Sequence, residues 1–263
     1  MKISVCGKGG SGKSVIVTLL ANAFRARGYQ VLVVDSDESN SGLYRMLGFS
    51  QPPLPLMEML GGKKGLKDKM AVKFSSGESE VKMEVLAQDK IGVKDIPSQY
   101  IAQRDGLKLL NIGKILHSLE GCACPMGVLS REFLKKLYLE KDEVVIVDME
   151  AGVEHFGRGI ETSIDRVLVV VEPSFESLGI ALKIKELAAD AGVKKTCAVL
   201  NKINSDEIAM RFKGELAKRG VEVIGIVHHI PQIFKACMGG HKLGDRVFPK
   251  DLGKVVDILL AKT

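Results

Sequence analysis

One segment restricts the possible folds of this chain more than any other, and it reads Gly7-Lys8-Gly9-Gly10-Ser11-Gly12-Lys13-Ser14. It matches the pattern Gly-x-x-x-x-Gly-Lys-Ser/Thr, in which glycines let backbone N–H groups converge on an anion. An apolar run precedes it and a helical pattern follows it, so the helix would point its positive end at the same anion. We therefore predict a P-loop, which requires a strand–loop–helix unit in an α/β sheet.

Each polar residue of the loop has a predicted role. Lys13 can reach the β- and γ-phosphates, and the Ser14 hydroxyl can bind Mg²⁺. Lys8 cannot reach its own γ-phosphate as well as Lys13 does, so we predict that it points across an interface at a neighbour's nucleotide. The predicted phosphate-binding residues are Gly7, Lys8, Gly9, Gly10, Ser11, Gly12, Lys13, Ser14 and Val15.

Apolar runs alternate with helical patterns along the chain, which predicts a doubly wound, mostly parallel seven-stranded sheet with helices on both faces. The predicted strands are Ile3–Cys6, Val31–Asp35, Lys108–Ile112, Glu143–Asp148, Arg166–Val171, Thr196–Leu200 and Val221–Ile226. The predicted helices are Lys13–Arg27, Ser130–Leu139, Glu176–Ala191, Ser205–Arg219 and a C-terminal helix from Lys250.

The 263 residues fit one P-loop domain spanning positions 1–263. Residues 51–106 interrupt the strand–helix rhythm, and we predict an excursion at the sheet edge with a small hairpin near Val81–Leu86. The spacing of apolar residues from Leu252 to Leu260 predicts a helix that closes the fold against the sheet, the alternative being a membrane-surface helix.

Further candidate site residues follow later strands, where α/β sheets place their ligands. Asp35 and Asp37 lie at the end of the second strand, and Asp148 ends a strand as a Walker-B aspartate does. Gly152 can let the backbone follow a γ-phosphate, and Asn201-Lys202 can recognise adenine. For the aspartates, the alternative is an ordinary cap or turn residue.

The five cysteines are an odd number, and no secretory signal pattern precedes the first strand, so we expect a reducing cytoplasm. Cys122-Ala123-Cys124 offers two thiolates, half of what Zn²⁺ or Ni²⁺ usually needs. Two copies in a two-fold dimer would supply four, although two ordinary loop cysteines are the alternative. Cys6, Cys197 and Cys237 are interpreted as buried small apolar residues.

The charge pattern points to no particular macromolecular partner. The net charge of +6 is partly concentrated in lysines between positions 63 and 73, which form either a solvated face or a docking patch. With no Trp and 5% aromatic residues, stacking platforms for single-stranded nucleic acid are not indicated. No apolar run is long enough to span a bilayer. We therefore predict neither a nucleic-acid nor a membrane partner.

The loop with its second lysine resembles the deviant Walker A motif of the MinD/ParA/nitrogenase-iron-protein class, and the resemblance covers nearly the whole chain. It implies the P-loop NTPase fold of the SIMIBI class and ATP-dependent homodimers in which Lys8 reaches the partner's phosphates. It also implies that Asp37 orients the attacking water, that Asp148 is the Walker-B aspartate of switch II, and that Asn201 recognises adenine.

Three stretches are similar to the CooC-type ATPases within that class: residues 148–159, residues 120–126 and the switch I segment 35–40, where Asp37-Glu38 replaces the Asp-Pro of many relatives. This resemblance implies an ATPase that assists nickel insertion into carbon monoxide dehydrogenase or acetyl-CoA synthase, with metal held at the dimer interface by Cys122 and Cys124.

We therefore predict an ATPase that hydrolyses ATP to ADP and phosphate, uses Mg²⁺, and binds Ni²⁺ or Zn²⁺ as a dimer. One alternative is a MinD/ParA-like spatial-regulation ATPase acting on a membrane or DNA. Another is a non-enzymatic metal store or scaffold whose P-loop only binds nucleotide.

Overall fold

A computed structural model describes residues 1–75, 84–114, 124–243 and 252–261. Within those residues, the central β-sheet contains eight strands. In chain order the described strands are β1 Lys2–Gly7, β2 Gln30–Asp35, β3 Ile91–Gly92, β4 Ala102–Arg104, β5 Leu107–Asn111, β6 Leu137–Tyr138, β7 Glu143–Asp148, β8 Arg166–Val171, β9 Lys195–Ile203 and β10 Glu222–His228. The sheet order is β10-β9-β8-β1-β7-β2-β5-β4, while β3 and β6 pair separately.

Seven strands of the central sheet run parallel, and they are the seven predicted from the apolar runs. The expected count of seven is nevertheless wrong for the described residues, because β4 adds an eighth strand, antiparallel to β5. A turn at Asp105-Gly106, where both residues have positive φ of 48° and 75°, joins these two strands. β4 was not predicted because its three residues have no apolar pattern.

Helices cover both faces of the sheet, as predicted. In chain order the described helices are α1 Lys13–Ala26, α2 Leu43–Met46, α3 Gly62–Ser75, α4 Cys124–Lys136, α5 Glu154–Gly157, α6 Phe175–Asp190, α7 Asp206–Lys218, α8 Pro231–Gly239 and α9 Leu252–Leu260. Serine caps explain two of the starts: Ser174 Oγ accepts from Ser177 N before α6, and Ser205 Oγ accepts from Ile208 N before α7.

The core has two layers because side chains alternate across each strand. Ile3 and Val5 of β1 belong to the layer beneath α1 and α9. Cys6, one residue further along, belongs to the layer beneath α4, α6 and α7. The carboxyl end of β1 therefore lies between the two layers, and the loop that follows it opens at the carboxyl edge of the sheet.

The excursion differs from its prediction in two respects. It contains the helix α3, which was not predicted because its lysine-rich sequence has no clear helical spacing of apolar residues. In addition, the described part of Val81–Leu86 forms no strand. Residues 81–83 lie outside the described residues. The helix predicted to begin at Ser130 begins earlier, at Cys124, and ends at Lys136.

Helix α9 packs into the core, as the spacing of its apolar residues predicted. Leu252, Val255, Val256 and Leu259 are buried, and the helix contacts α1 and β10. Among the described residues, no helix combines the length and the apolar character needed to cross a membrane.

Candidate functional site

Two glycines of the P-loop, Gly7 and Gly12, occupy positions that no other residue could take without rearrangement. Gly7 has φ +145°, and a Cβ there would lie 2.5 Å from the Val170 carbonyl oxygen of β8. Gly12 has φ +93°, and a Cβ there would lie 2.3 Å from Asn201 Nδ2. Residues with a side chain rarely adopt these backbone conformations, so the loop can follow this path only with glycine at both positions. The fold thus places the predicted motif between β1 and α1.

Several groups that can bind a phosphate lie at the loop. Helix α1 has no side-chain cap and no acidic residue in its first turn, so its first backbone N–H groups face the loop. Ser11 Oγ is buried and has no hydrogen-bond partner among the described residues. Lys13, the first residue of α1, is also buried. Together these groups form a positively polarised cradle that an anion can occupy.

Side-chain oxygen atoms that could bind a metal ion lie beside the cradle, where the Mg²⁺ site was predicted. Ser14 Oγ donates to Asp148 Oδ2 at 2.6 Å. Asn40 Nδ2 lies 2.9 Å from Ser14 Oγ and donates to Asp148 Oδ2 at 3.3 Å. Asp148 Oδ1 is buried without a partner among the described residues, and burial raises the pKa of Asp148 to about 6. A hydroxyl and a carboxylate are ligands that suit Mg²⁺, so the residues fit the ion.

The two aspartates that follow β2 have different surroundings. Asp35 is buried, Lys114 Nζ donates to its Oδ2 at 2.7 Å, and burial raises its pKa to about 7. Lys114 Nζ also donates to the Asp37 carbonyl oxygen at 2.5 Å. The Asp37 carboxylate accepts from Ser39 N at 2.9 Å and from Ser39 Oγ at 2.6 Å. Its predicted role in orienting water stays a prediction.

The second lysine of the loop is paired within its own chain. Lys8 Nζ lies 3.2 Å from Glu172 Oε1 and 3.0 Å from Glu176 Oε2. Hydrogen bonds to Glu176 and Glu172 raise the pKa of Lys8. Lys8 is therefore a charged side chain at the surface, and its predicted reach to a second subunit stays a prediction.

Asn201 and Lys202, at the end of β9, support the loop from the side. Asn201 Nδ2 donates to the Ser11 carbonyl oxygen at 2.8 Å, and Lys202 Nζ donates to the Gly10 carbonyl oxygen. Lys202 Nζ also lies 3.1 Å from Glu172 Oε2.

An apolar cleft of about 300 Å³ opens beside this support. Asn201 and Val15 line it, together with Ile230, Ile233 and Phe234. A mostly apolar cleft with one amide next to a phosphate cradle suits a nucleotide base. The predicted recognition of adenine by Asn201 is compatible with this position and stays a prediction.

Gly152 lies directly against the loop. Its backbone N–H donates to the Gly7 carbonyl oxygen at 3.3 Å, and its φ is +89°. The segment that follows Asp148 therefore contacts the first residue of the P-loop.

The predicted thiolate pair falls at the margin of the described structure. Cys122 lies outside the described residues, and Cys124 begins α4, with only its backbone described. Of the three cysteines expected to be buried, Cys6 and Cys197 are buried, but Cys237 is exposed on α8. The Cys237 prediction was wrong because α8 buries none of its residues.

Several residues of the site were not predicted, and they come from segments distant in sequence. They are Asn40, Lys114, Glu172 and Glu176. Asn40 belongs to the segment 35–40 that carries the CooC resemblance, so this polar residue could have been predicted as part of the site. The two glutamates follow the end of β8, the kind of position at which α/β sheets collect ligands.

Comparison with known proteins shows the family. The sequence model for the CobQ/CobB/MinD/ParA nucleotide-binding domain matches residues 3–243. The uncharacterized ATP-binding protein MJ0084 of Methanocaldococcus jannaschii is 42% identical over 98% of this chain and 99% of that protein. The carbon monoxide dehydrogenase accessory protein CooC of Rhodospirillum rubrum is 37% identical over 78% of this chain and 75% of that protein.

Solved structures show the same fold. The septum site-determining protein MinD of Pyrococcus horikoshii, complexed with Mg-ADP, has a TM-score of 0.68 and 16% identity and covers 98% of this chain and 95% of its own. A ParA family ATPase of Chlorobium tepidum has a TM-score of 0.64 and 18% identity over 99% of this chain and 97% of its own.

Proposed function

Since the chain belongs to the CobQ/CobB/MinD/ParA nucleotide-binding family and is an ATPase of the MinD/ParA class, we propose a finer role for it. It acts as a dimeric accessory ATPase in the maturation of a nickel enzyme, either carbon monoxide dehydrogenase or acetyl-CoA synthase. The observation that carries this proposal is the similarity to the CooC accessory protein over most of the chain.

The chemistry begins at the P-loop. The phosphates occupy the cradle of backbone N–H groups, with Lys13 against the β- and γ-phosphates. Ser14 and Asp148 hold Mg²⁺, which neutralises phosphate charge when it is bound. Asp37 orients the attacking water, and the cleft beside Asn201 holds the adenine ring.

Dimerisation recruits Lys8. Its two carboxylate partners are partly solvated, and Glu176 is 72% exposed at its side chain. Solvent screens ion pairs of this kind, so exchanging them for a partner's γ-phosphate costs little. The lysine then neutralises charge that develops as the phosphate is transferred, as an arginine finger does.

The cargo metal is bound where two copies meet. Cys122 and Cys124 from each copy supply four thiolates, a donor set that Zn²⁺ and Ni²⁺ both accept. Gly152 contacts the P-loop at Gly7. Nucleotide hydrolysis can therefore shift the segment after Asp148 and change how the two copies hold their metal, which requires different metal affinities in the two states.

The test compares Cys122→Ser/Cys124→Ser with Cys237→Ser, which removes an exposed cysteine elsewhere. Both proteins are purified anaerobically, loaded with Ni²⁺ or Zn²⁺ and analysed for metal per chain, dimer fraction and ATP affinity by calorimetry. We expect the double variant to lose the bound cargo metal and to dimerise more weakly, while ATP binding survives and Cys237→Ser behaves as wild type. Unchanged metal content that stays at the dimer interface would refute the thiolate site.

A further inference from the structure

A second group of metal-ligating side chains lies in the core, below the P-loop. Among the described residues, Cys6, His155 and Glu161 each place a donor atom within 4.8 Å of the other two. All three residues are buried. This cluster belongs to one chain, so it is separate from any site that requires two copies.

The three donors come from two parts of the fold. Cys6 is the residue of β1 immediately before Gly7, where the P-loop begins. His155 lies on α5, and Glu161 lies in a 3₁₀ turn at Ile160–Ser163. The second part follows Asp148 and Gly152 in sequence, so the cluster joins the base of the P-loop to the segment that contacts it.

The hydrogen bonding inside the cluster is incomplete. His155 Nδ1 bonds Glu161 Oε1, but His155 Nε2 and Glu161 Oε2 have no partner among the described residues. Cys6 Sγ lies 3.5 Å from Ser4 Oγ and also interacts with the His155 imidazole. Buried polar atoms are rarely left without a partner, and a bound ion or water is one usual partner for them.

The donor set selects a class of ion. A thiolate, an imidazole and a carboxylate are the ligands of zinc sites and of other borderline divalent metals, whereas Mg²⁺ prefers oxygen donors. Three protein ligands leave one position of a tetrahedral ion for water or another donor. We propose that Cys6, His155 and Glu161 bind a borderline divalent cation such as Zn²⁺, one per chain, distinct from the Cys122/Cys124 pair.

Two consequences follow from the placement. The ligands are inaccessible, so the ion enters and leaves only when the segment 150–164 separates from β1, and its exchange is slow. Because the ligands come from the base of the P-loop and from the segment touching it, nucleotide and metal affinities are coupled, and the coupling is reciprocal.

The experiment uses Co²⁺ as the probe, because a cobalt–thiolate bond gives a charge-transfer band in the near ultraviolet. The starting protein is the full chain carrying Cys122→Ser/Cys124→Ser, which removes the other proposed metal site. To this we add either Cys6→Ala or, as the matched control, Cys197→Ala, a buried cysteine of a neighbouring strand outside the cluster.

We expect one Co²⁺ per chain with a thiolate band in the starting protein and in the Cys197→Ala control. The band is lost in Cys6→Ala. Glu161→Gln keeps the thiolate and the shape of the side chain, so it retains the band but requires at least about tenfold more Co²⁺ to saturate it.

Two results would overturn the proposal. One is a folded starting protein, with normal ATP binding, that shows no cobalt–thiolate band. The other is a band that persists after Cys6→Ala. Should Cys6→Ala fail to fold, an unchanged Co²⁺ titration in Glu161→Gln would be decisive against the site. Neither result affects the interfacial cysteines, which are absent from every protein in this series.

Discussion

Asp148 combines two demands that oppose each other. The carboxylate is buried at the end of β7, where it lies beside Ser14, yet the proposed Mg²⁺ binding requires it to be ionised. Burial raises its pKa to about 6, while the Ser14 hydroxyl and the charge of Lys13 act in the other direction. The ionised form is therefore secure only somewhat above pH 6.

This balance predicts the pH dependence of nucleotide binding. The pKa is raised, so the protonated form persists up to about pH 6, and it cannot bind the cation. We expect the Mg²⁺-dependent gain in ADP affinity to be constant above about pH 7 and to fall roughly tenfold per pH unit below about pH 6. Calorimetric titrations with and without Mg²⁺ between pH 5 and 8 measure this gain.

The control is Asp148→Asn, which removes the titrating group while the nucleotide still titrates. Its Mg²⁺-dependent gain should be small and should not show the additional loss below pH 6. Identical pH profiles for Asp148→Asn and the unaltered protein would contradict the assignment of the Mg²⁺ ligand.

At the scale of elements, helix α4 holds the edge excursion in place. Glu132, which is buried, accepts from Val85 N at 2.5 Å and from Leu86 N at 2.8 Å. Lys136 Nζ lies 2.9 Å from Glu132 Oε1 and donates to the Leu86 carbonyl oxygen at 2.8 Å. One buried ion pair therefore satisfies three backbone groups of a segment that has little regular structure of its own.

Removing one partner of this pair should be costly. Glu132→Gln leaves Lys136 buried, with Glu84, 3.6 Å away, and the charge of Asp89 to balance its own. We expect the free energy of unfolding to fall by about 3 kcal/mol, the lower end of the range for broken buried pairs. Chemical denaturation measures the loss, and hydrogen exchange should show faster exchange in residues 84–96.

The matched variant is Glu215→Gln on α7, where the carboxylate pairs with Lys218 and Arg219 at the surface. Its effect should be much smaller than that of Glu132→Gln, because solvent screens an exposed ion pair. Equal losses in the two variants would mean that the buried pair gives α4 no special role in holding the excursion.

At the scale of the whole molecule, Glu172 pairs with Lys8 of the P-loop and with Lys202 of β9 inside one chain. It lies 3.2 Å from Lys8 Nζ and 3.1 Å from Lys202 Nζ. These ion pairs lower its pKa, although its burial acts in the opposite direction. In a dimer that uses Lys8 across the interface, part of this interaction has to be given up.

Glu172→Gln should therefore favour the dimer. The ion pair is weak because it is partly solvated, but each dimer gives up two of them, so we expect ATP-dependent dimerisation to tighten by about two- to tenfold. Sedimentation equilibrium with MgATP measures the dissociation constant. Glu186→Gln, which loses a surface pair with Lys183 on α6, is the control and should have no effect. A dimer that is weaker in Glu172→Gln than in the control would contradict the role proposed for Lys8.

The parallel strands and the P-loop were predictable because their signals are local. Strands buried on both faces need nearly continuous apolar runs, and a loop that wraps phosphate needs glycines at set positions. Short elements were not predictable from the same signals. β4 has three residues, and α3 has a lysine-rich face and few apolar positions, so neither carries a clear period.

The chain order of residues therefore determined the strand–loop–helix unit, the parallel sheet and the position of the aspartates that follow it. Tertiary structure alone decided which distant side chains meet there: Asn40 beside Asp148, Glu172 beside Lys8, and Cys6 beside His155. The physical reason is that backbone preferences act between near neighbours in sequence. Contacts between side chains depend on how strands are ordered in the sheet, which no local pattern specifies.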